Sequence, residues 1–312
     1  MMTGVSSWVK WSAVVVLLAG YVAYSNIGPP PTTDLTGQRV LVTGASTGIG
    51  EQIAYHYARQ GASVVVTART EARLRRVVEK CRELGRKEQI FSYFVADMAG
   101  SNATKEVIEF GEAALGGLDF LVLNHMYLMP SANTWTGSDH NLTMLRHVMD
   151  VNFHSYVQLA SHALPILERS NGSLVVISSL SAKMYQPYFV AYVSSKFALT
   201  GFFGSLRLEL EMRGSGVSIT VCFLGFIGTS NAVTSLKRFG LTRVLAVEPT
   251  DPGVTAQNIV AGAVARTKDV YFPYLQTRLT PLIRELFPGV FDSYIRYLYT
   301  KSYDINIASE QG

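Results

Sequence analysis

Short apolar runs that suit buried strands alternate with amphipathic helical stretches through the middle of the chain. Strands are predicted at residues 40–43, 64–67, 90–96, 120–123, 174–178 and 219–223, and helices at residues 51–60, 71–84 and 104–115. This βαβα alternation is typical of a parallel sheet that is covered by helices on both faces. The pattern therefore predicts an α/β fold with a single doubly wound parallel sheet.

The predicted sheet region is followed by a segment of different character. Residues 35–270 contain no internal repeat, low-complexity stretch or linker, which predicts one domain. Residues 271–312 form a tail rich in Tyr, Phe, Leu and Arg, and its prolines at positions 273, 281 and 288 are expected to limit it to short helices. Because aromatic and basic side chains suit a membrane interface, we expect the tail to rest on a membrane surface.

The N-terminus carries an apolar run over residues 11–24 (WSAVVVLLAGYVAY), preceded by Lys10. A membrane-spanning helix needs about 20 apolar residues, so the run suffices only if it is extended past Lys10, whose ammonium would then reach the interface. Residues 1–30 are therefore either a cleavable signal peptide, which the small residues Ala23 and Ser25 favour, or an uncleaved signal anchor. A buried N-terminal helix is disfavoured because the run lacks a polar face.

Both alternatives for the N-terminus direct the rest of the chain to the secretory pathway. Three N-x-S/T sequons, at Asn102, Asn141 and Asn171, agree with this address and predict a glycoprotein. If the segment is retained, we expect an endoplasmic reticulum membrane protein with its folded domain in the lumen. If the segment is cleaved, we expect a secreted protein.

Composition excludes several classes of protein. The 312 residues include 27 Lys+Arg and 23 Asp+Glu, a formal charge of +4, and the chain is 48% hydrophobic but only 16% charged, which excludes a disordered chain. No long basic block is present, so no nucleic-acid partner is expected. Two cysteines, Cys81 and Cys222, are too few for a disulfide scaffold, and without a CxxC motif or a His-rich cluster no metal is expected.

A glycine-rich turn joins the first predicted strand to the first predicted helix. The segment VLVTGASTGIG contains Gly44, Gly48 and Gly50. Glycines at such a turn allow positive φ and let backbone N–H groups approach a pyrophosphate, which the positive end of the helix also attracts. The segment predicts a phosphate cradle, although an ordinary strand-to-helix turn has similar composition.

The second predicted strand ends at Arg69. An NAD site has a carboxylate near this point to accept hydrogen bonds from the ribose 2′-hydroxyl, whereas a guanidinium suits a 2′-phosphate. Arg69 therefore predicts NADP(H) as the cofactor. The alternative is that Arg69 only begins an arginine-rich helix that continues with Arg73, Arg75 and Arg76.

Residues suited to proton transfer follow the fifth predicted strand. Ser179 ends that strand, Tyr192 comes thirteen residues later, and Lys196 follows in YVSSKFAL. Residues four apart share a face of a helix, so the Lys196 ammonium is expected near the Tyr192 phenol and should lower its pKa from about 10. Ser179 can donate a hydrogen bond to the substrate oxygen with which Tyr192 exchanges a proton. Asn152 could hold a water molecule that refills the proton relay.

Together these features resemble the short-chain dehydrogenase/reductase family, whose fold is the Rossmann fold. TGASTGIG resembles the TGxxxGxG cofactor turn of the family, and the segment at residues 123–125 (LNH) resembles its NAG motif. The similarity extends over about residues 35–272. Segments such as AYHYARQGASVVVTAR and AYVSSKFALTGFFGSLR are similar to the 11β-hydroxysteroid dehydrogenases within that family. The positions that match the catalytic tetrad of the family are Asn152, Ser179, Tyr192 and Lys196.

The resemblance implies roles for these residues. Tyr192 would be the general acid/base, and Lys196 would lower its pKa and hold the nicotinamide ribose. Ser179 would orient the carbonyl, and Asn152 would complete the proton relay. Hydride would pass between the nicotinamide ring and a ketone carbon. The residues implied to bind the cofactor are Gly44, Ser46, Thr47, Gly48, Ile49, Gly50, Arg69, Asp97, Met98, Asn124, His125, Tyr192, Lys196, Ile227 and Thr229.

Three positions depart from the family pattern. Thr47 stands where many NADP-dependent members have a basic residue, so selectivity for the phosphate depends more heavily on Arg69. Gly225 replaces a proline of the wider family, although it agrees with the 11β-hydroxysteroid dehydrogenases. Gly228 stands where a member of that subgroup has an acidic residue.

The expected substrate is a small lipophilic molecule. Residues 184–189 and 223–241 are rich in apolar and aromatic side chains, which favours a pocket of this kind, although the same residues could belong to the core. The resemblance implies a steroid. A reductase of retinoid or xenobiotic carbonyls and a catalytically silent, cofactor-binding lumenal protein are the alternatives, and the intact tetrad argues against the silent one. Because the family often dimerises, a homodimer is a further expectation.

Overall fold

Seven parallel strands form one sheet in the residues that the structure, a computed structural model, describes: 33–100, 102–129, 134–238 and 248–302. The strands are β1 (Arg39–Thr43), β2 (Ser63–Ala68), β3 (Phe91–Val95), β4 (Phe120–Leu123), β5 (Ser173–Ile177), β6 (Ser218–Leu224) and β7 (Asp269–Phe272). Their order is β3-β2-β1-β4-β5-β6-β7, so the chain reverses its direction of progress across the sheet between β1 and β4. The predicted doubly wound parallel sheet is confirmed.

Helices connect the strands and cover both faces of the sheet. They are α1 (Gly48–Arg59), α2 (Glu71–Leu84), α3 (Ala103–Leu115), α4 (Asp139–Met149), α5 (Ser155–Ser170), α6 (Val190–Met212), α7 (Ser230–Arg238), α8 (Pro252–Val264), α9 (Tyr274–Leu286) and α10 (Pro288–Ser302). A π-helical segment, Asp150–His154, links α4 to α5, and a 3₁₀ turn, Leu180–Ala182, follows β5. The helices predicted at residues 51–60, 71–84 and 104–115 correspond to α1, α2 and α3.

Alternating strand residues divide the core into two clusters. Val40 and Val42 of β1 pack with side chains of α1, α2 and α8, whereas Leu41 between them packs with side chains of α3, α5 and α6. Successive side chains of a strand point to opposite faces, and here both faces are covered. This explains why the central strands β4 and β5 are buried at every position and why their sequences are continuous apolar runs rather than alternating ones.

The last strand and the tail differ in part from expectation. β7 was not predicted, and it crosses the expected domain boundary at residue 270. Pro273 and Pro288 lie at the starts of α9 and α10, as expected for residues that cannot continue a preceding helix, but Pro281 lies inside α9 and does not end it. Among the helices of the described residues, none has the length and apolar character needed to cross a membrane.

The structure describes the predicted glycosylation sites but not the predicted N-terminal signal segment. The segment predicted as a signal peptide or anchor, residues 1–30, lies outside the described residues, and the location of the protein stays a prediction. Of the three sequons, Asn102 and Asn171 are exposed. Asn141 is buried, and its side-chain oxygen accepts hydrogen bonds from the backbone N–H and hydroxyl of Thr136.

Candidate active site

A cleft of about 770 Å³ lies at the carboxyl ends of the strands, where the strand order reverses between β1 and β4. Open parallel sheets bind their ligands at such a point, because the loops on either side of it separate and leave a crevice. The cleft is lined by the residues that follow β1 to β6, and by Gln276 and Tyr299 of the tail. Every predicted site residue lines it except Gly50 and Asn152.

The glycine turn has the backbone geometry of a phosphate cradle. Gly44 and Gly48 adopt positive φ angles of 63° and 65°, and a Cβ on Gly44 would lie 2.5 Å from the Cα of His125. Thr47, the N-cap residue of α1, makes no side-chain capping hydrogen bond, so the first N–H groups of α1 are left for a ligand. The turn therefore fits a pyrophosphate group, which helix N-termini stabilise.

Gly50 does not line the cleft, but its small size is needed for the packing behind it. A Cβ at this position would overlap the side-chain nitrogen of Asn124 and would lie 2.6 Å from the Gly44 carbonyl oxygen. Asn124 in turn donates to the carbonyl oxygens of Thr43 (3.2 Å) and Gly44 (3.0 Å). The small size of Gly50 thus lets α1 approach the end of β4 and fixes the shape of the turn.

Two guanidinium groups lie on the cleft wall after β2. Arg69 follows β2 directly, is exposed, and makes no hydrogen bond or ion pair with any described residue. Arg73, one helical turn further on in α2, also lines the cleft. On the other side of this region Met98 is buried, and Asp97 accepts a hydrogen bond from the backbone N–H of Ala99 (3.1 Å). The pair of arginines suits a dianionic phosphate.

Tyr192 and Lys196 lie on one face of α6, as their spacing predicts. The Lys196 Nζ atom is 5.8 Å from the centroid of the Tyr192 ring and donates to the carbonyl oxygen of Ile177 at 3.2 Å. Burial lowers the pKa of Lys196 to about 8. For Tyr192, desolvation of the phenol raises its pKa, and a hydrogen bond with Ser179 lowers it in part. The expected net lowering is therefore wrong for this site, because desolvation outweighs the favourable contacts.

Ser179 is held in place by its own turn. It caps the 3₁₀ turn after β5, where its Oγ accepts from the backbone N–H of Ser181 at 3.1 Å. Its hydroxyl also donates to the Ser181 Oγ at 3.1 Å, and the Ser181 hydroxyl donates to Oε1 of Gln186 at 2.9 Å. The predicted catalytic serine is thus the first of three linked polar side chains along the cleft wall.

Asn152 does not line the cleft, and its predicted role in the proton relay stays a prediction. It lies in the π-helical segment and is fully buried. Its Oδ1 accepts from the backbone N–H of Tyr127 at 2.6 Å, and its Nδ2 donates to the Tyr127 carbonyl oxygen at 3.2 Å. Both polar atoms of the amide are therefore engaged by one residue of the loop after β4, and Asn152 shapes that loop instead of lining the cleft.

Ile227 and Thr229, two of the residues implied to bind the cofactor, lie after β6. Ile227 is buried and bridges to Thr250, while Thr229 lines the cleft at the start of α7 and accepts a hydrogen bond from the backbone N–H of Ala232. A Cβ on Gly48 would lie 2.9 Å from the Thr229 side chain. The glycine turn and the loop after β6 thus contact each other directly across the cleft.

Sequence reasoning missed several residues of the cleft. The loop after β4 contributes Met126, Tyr127, Leu128 and Met129, which read locally as an ordinary apolar loop. Gln276 comes from the tail, and a Cβ on Gly225 would overlap its side-chain oxygen. Glycine in place of the family proline therefore admits Gln276, and no local signal near residue 276 could have indicated that approach.

The expected substrate segments contribute only in part. From residues 184–189, Gln186 and Phe189 line the cleft, whereas Met184 packs in a buried cluster with Leu180 and Phe291. From residues 223–241, most positions between Leu224 and Ser235 line it, and residues 239–241 lie outside the described part of the chain. Both the pocket interpretation and the core interpretation of these segments are thus partly correct.

Comparison with known proteins identifies relatives over most of the chain. The short chain dehydrogenase family model matches residues 38–239, a region that contains every predicted site residue. A hydroxysteroid 11-beta-dehydrogenase 1-like protein of Xenopus tropicalis is 44% identical over 93% of this chain and 96% of its own length. The Danio rerio protein of that name is 45% identical over 85% and 88%. The crystal structure of a short chain dehydrogenase from Burkholderia cenocepacia J2315 in complex with NADP is 25% identical, covers 77% of this chain and 97% of its own, and gives a TM-score of 0.66.

Proposed function

Because the chain belongs to the short-chain dehydrogenase family of oxidoreductases, which act on CH–OH groups with a nicotinamide cofactor, we propose that it interconverts a ketone and a secondary alcohol on a steroid with NADP(H). The observation that carries this proposal is the juxtaposition of Tyr192, hydrogen-bonded to Ser179, with the buried Lys196 in a cleft that begins at the glycine turn.

The side chains of the cleft supply the proton chemistry. A bound nicotinamide nucleotide supplies or accepts the hydride. Tyr192 exchanges a proton with the substrate oxygen, and Ser179 orients that oxygen by a hydrogen bond. Because desolvation raises the pKa of the Tyr192 phenol, the group is protonated at neutral pH, which is the form that reduction of a ketone requires. In the direction of oxidation, donation from Ser179 and the nearby Lys196 ammonium stabilise the phenolate.

The preference for NADP(H) is supported by the unpaired charge at Arg69. A guanidinium that has no ion pair among the described residues keeps its charge-assisted hydrogen bonds available for a phosphate. Arg73 adds a second cation on the same wall. The residue directly after β2 is Arg69, and not a carboxylate that would favour the 2′-hydroxyl of NAD.

The steroid assignment is supported by the character of the cleft and by the names of the relatives. The cleft of about 770 Å³ includes the glycine turn and Arg69 as well as Tyr192, so the substrate takes the part beside Tyr192, and apolar walls there suit a lipophilic ligand. Met129 and Phe189 pack in one cluster with Tyr192, and Met126 and Leu128 line the same cleft. The two vertebrate relatives carry the name hydroxysteroid 11-beta-dehydrogenase 1-like protein.

A substrate panel tests the proposal. Purified protein is incubated with steroid, retinoid and xenobiotic carbonyls, each with NADPH or NADH, and nucleotide oxidation is measured. We expect turnover of a steroid ketone with NADPH and a loss of at least about 100-fold in kcat for Tyr192→Phe, because the proton donor is removed while the ring is kept. Turnover of no carbonyl, or equal turnover in the variant, would refute the catalytic assignment. Turnover of retinoid or xenobiotic carbonyls alone would replace the steroid by that class.

A further inference from the structure

A line of two hydrogen bonds joins the predicted catalytic serine, Ser179, through Ser181 to the amide of Gln186. Ser179 donates to the Ser181 Oγ at 3.1 Å, and Ser181 donates to Oε1 of Gln186 at 2.9 Å. Ser181 is buried, and Gln186 is half-buried on the cleft wall. The nitrogen of the Gln186 amide has no hydrogen-bond partner among the described residues. Each hydroxyl of this line therefore donates in the direction away from Tyr192.

This direction determines what Ser179 can do for the phenol. A serine hydroxyl carries one proton and two acceptor sites. While the Ser179 proton is directed at Ser181, Ser179 can only accept from the Tyr192 hydroxyl, which stabilises the protonated phenol. The lowering of the pKa of Tyr192 by Ser179 needs the opposite direction, in which Ser179 donates to the phenol oxygen. If donation instead ran from Gln186 through Ser181 to Ser179, Ser179 would donate to Tyr192 or to the substrate oxygen. Donation to Tyr192 would stabilise the phenolate, and donation to the substrate would polarise its carbonyl.

The amide of Gln186 can reverse the line. Its oxygen and nitrogen exchange places by rotation of the terminal amide group, which has nearly the same shape in both orientations. With the nitrogen facing Ser181, Gln186 donates to the Ser181 Oγ, Ser181 donates to the Ser179 Oγ, and the Ser179 proton is released toward the cleft. No other atom has to move far, because the backbone N–H of Ser181 holds the Ser179 Oγ in either case.

We propose that Gln186 is a positioning residue whose amide orientation sets, through Ser181, the direction in which the Ser179 hydroxyl donates. Donation from Ser179 to a substrate carbonyl rests on the proposed function, whereas donation from Ser179 to the Tyr192 oxygen rests on the geometry of this chain alone. A carboxylate at position 186 can only accept from Ser181, so it should fix the outward, unproductive direction.

The test is a titration of Tyr192 by NMR in protein labelled at the tyrosine ring carbon that carries the hydroxyl, with the signal assigned by its loss in Tyr192→Phe. We expect Gln186→Glu to raise the pKa of Tyr192 by about one pH unit, which is the scale of one hydrogen bond to a charged group. Ser181→Ala removes the side chain that diverts the Ser179 proton. In Ser181→Ala/Gln186→Glu we therefore expect the pKa of the Ser181→Ala protein.

Added charge has to be separated from the effect of direction. The titratable groups that face the phenol are Lys196 on α6 and Tyr156 on α5, whose own pKa responds to Tyr192. A new carboxylate would act on all three groups through space. Asn231→Asp is the matched control, because Asn231 lines the same cleft and has no hydrogen bond to Ser181 in the described residues.

The titrations distinguish an effect of hydrogen-bond direction from an effect of added charge. A rise in Gln186→Glu that is absent from Asn231→Asp and from the double variant supports the proposal, and steady-state rates should follow with a roughly tenfold loss of kcat that Ser181→Ala restores. No rise in Gln186→Glu, or an equal rise with Ser181 removed, overturns it. Because the titration needs neither substrate nor turnover, a protein that reduces no carbonyl counts against the proposed function only.

Discussion

At the residue scale, His125 shows how the site keeps a titratable group uncharged. The ring is buried, with Nδ1 2.8 Å from the Thr43 Oγ1 and Nε2 2.7 Å from the Ser155 Oγ. Because the Ser155 hydroxyl donates to the Val151 carbonyl oxygen at 2.6 Å, Ser155 accepts from Nε2–H. In the neutral ring Nδ1 then accepts from the Thr43 hydroxyl, whose proton turns to it from the Val122 carbonyl oxygen, 3.2 Å away. This neutral form has no donor or acceptor left for a cofactor. Burial, followed by the nearby Lys196, lowers the pKa of His125 to about 3.

The lowered pKa predicts a loss of stability in acid. Between pH 6.5 and pH 3 the unfolded histidine binds a proton and the folded one does not, so the free energy of unfolding falls as the pH falls through this window. From pH 7.5 to pH 5 we expect a loss of about 2 kcal/mol from this residue. Urea unfolding of wild type and His125→Gln at both pH values measures it, and the variant should lose less between them. His162→Gln, at an exposed histidine on α5, should behave like wild type, and an equal pH dependence in His125→Gln would contradict the assignment.

Cofactor preference is also argued at the residue scale, from Arg69. Loss of its charge-assisted hydrogen bonds to a 2′-phosphate should raise KM for NADPH by about 10- to 100-fold in Arg69→Ala and leave KM for NADH nearly unchanged. Arg69→Asp should shift preference further toward NADH, because a carboxylate repels the phosphate and accepts from a 2′-hydroxyl. The measurement is KM for both nucleotides. Arg76→Ala, on α2 but outside the cleft, is the control, and an unaltered ratio in the Arg69 variants would show that other groups select the phosphate.

At the element scale, the sequence predicts those parts of the fold whose signals are local. The strand, glycine turn and helix from Arg39 to Arg59 follow from neighbouring residues, and the position of Lys196 beside Tyr192 follows from helical periodicity. β7 escaped prediction because it is a four-residue edge strand that starts with a charge and is only half-buried. The orientation of Asn152 could not be predicted either, since its partner, the Tyr127 backbone, is 25 positions away.

The junction of α1 with β4 gives a prediction at the same scale. A Cβ on Gly50 would overlap the Asn124 amide, so Gly50→Ala should displace α1, lower the free energy of unfolding by about 1–3 kcal/mol and weaken NADPH binding. Gly201, in α6, is the matched control, because a Cβ there meets nothing within 4 Å. Gly201→Ala should raise stability by up to about 1 kcal/mol through helix propensity. Chemical denaturation and NADPH fluorescence titration test both, and a Gly50→Ala protein with normal stability and affinity would show that the junction is adaptable.

At the scale of the whole molecule, the tail has an inner and an outer side. On the inner side Phe291 is buried against Leu180 and Met184, and Tyr299 lines the cleft. The outer side exposes large apolar residues, among them Leu282, Ile283, Leu286, Phe287, Val290, Tyr294 and Tyr297. Scattered apolar residues are ordinary on a protein surface, but a cluster of this size is typical of contact with a membrane or another protein.

We propose that this outer side of α9 and α10 rests on a lipid surface, independently of residues 1–25. Burying the exposed Leu286 and Phe287 in the interface releases water from their apolar area, and an exposed basic residue of the same helices, Arg296, favours anionic headgroups. Protein lacking residues 1–25 should therefore float with anionic vesicles, and Phe287→Glu should reduce the bound fraction severalfold.

Met212→Glu is the matched control for this flotation assay, because it replaces an exposed apolar residue of α6 and should leave binding unchanged. Loss of all membrane association on deletion of residues 1–25 would remove the role of the tail. If light scattering instead shows a dimer that Phe287→Glu dissociates, the outer side contacts a second copy of the chain. A bilayer contact predicts that binding rises with the anionic lipid fraction and falls with salt, since the arginine contribution is screened over about 10 Å at 0.1 M ionic strength, whereas a dimer held by apolar contacts should be nearly insensitive to salt.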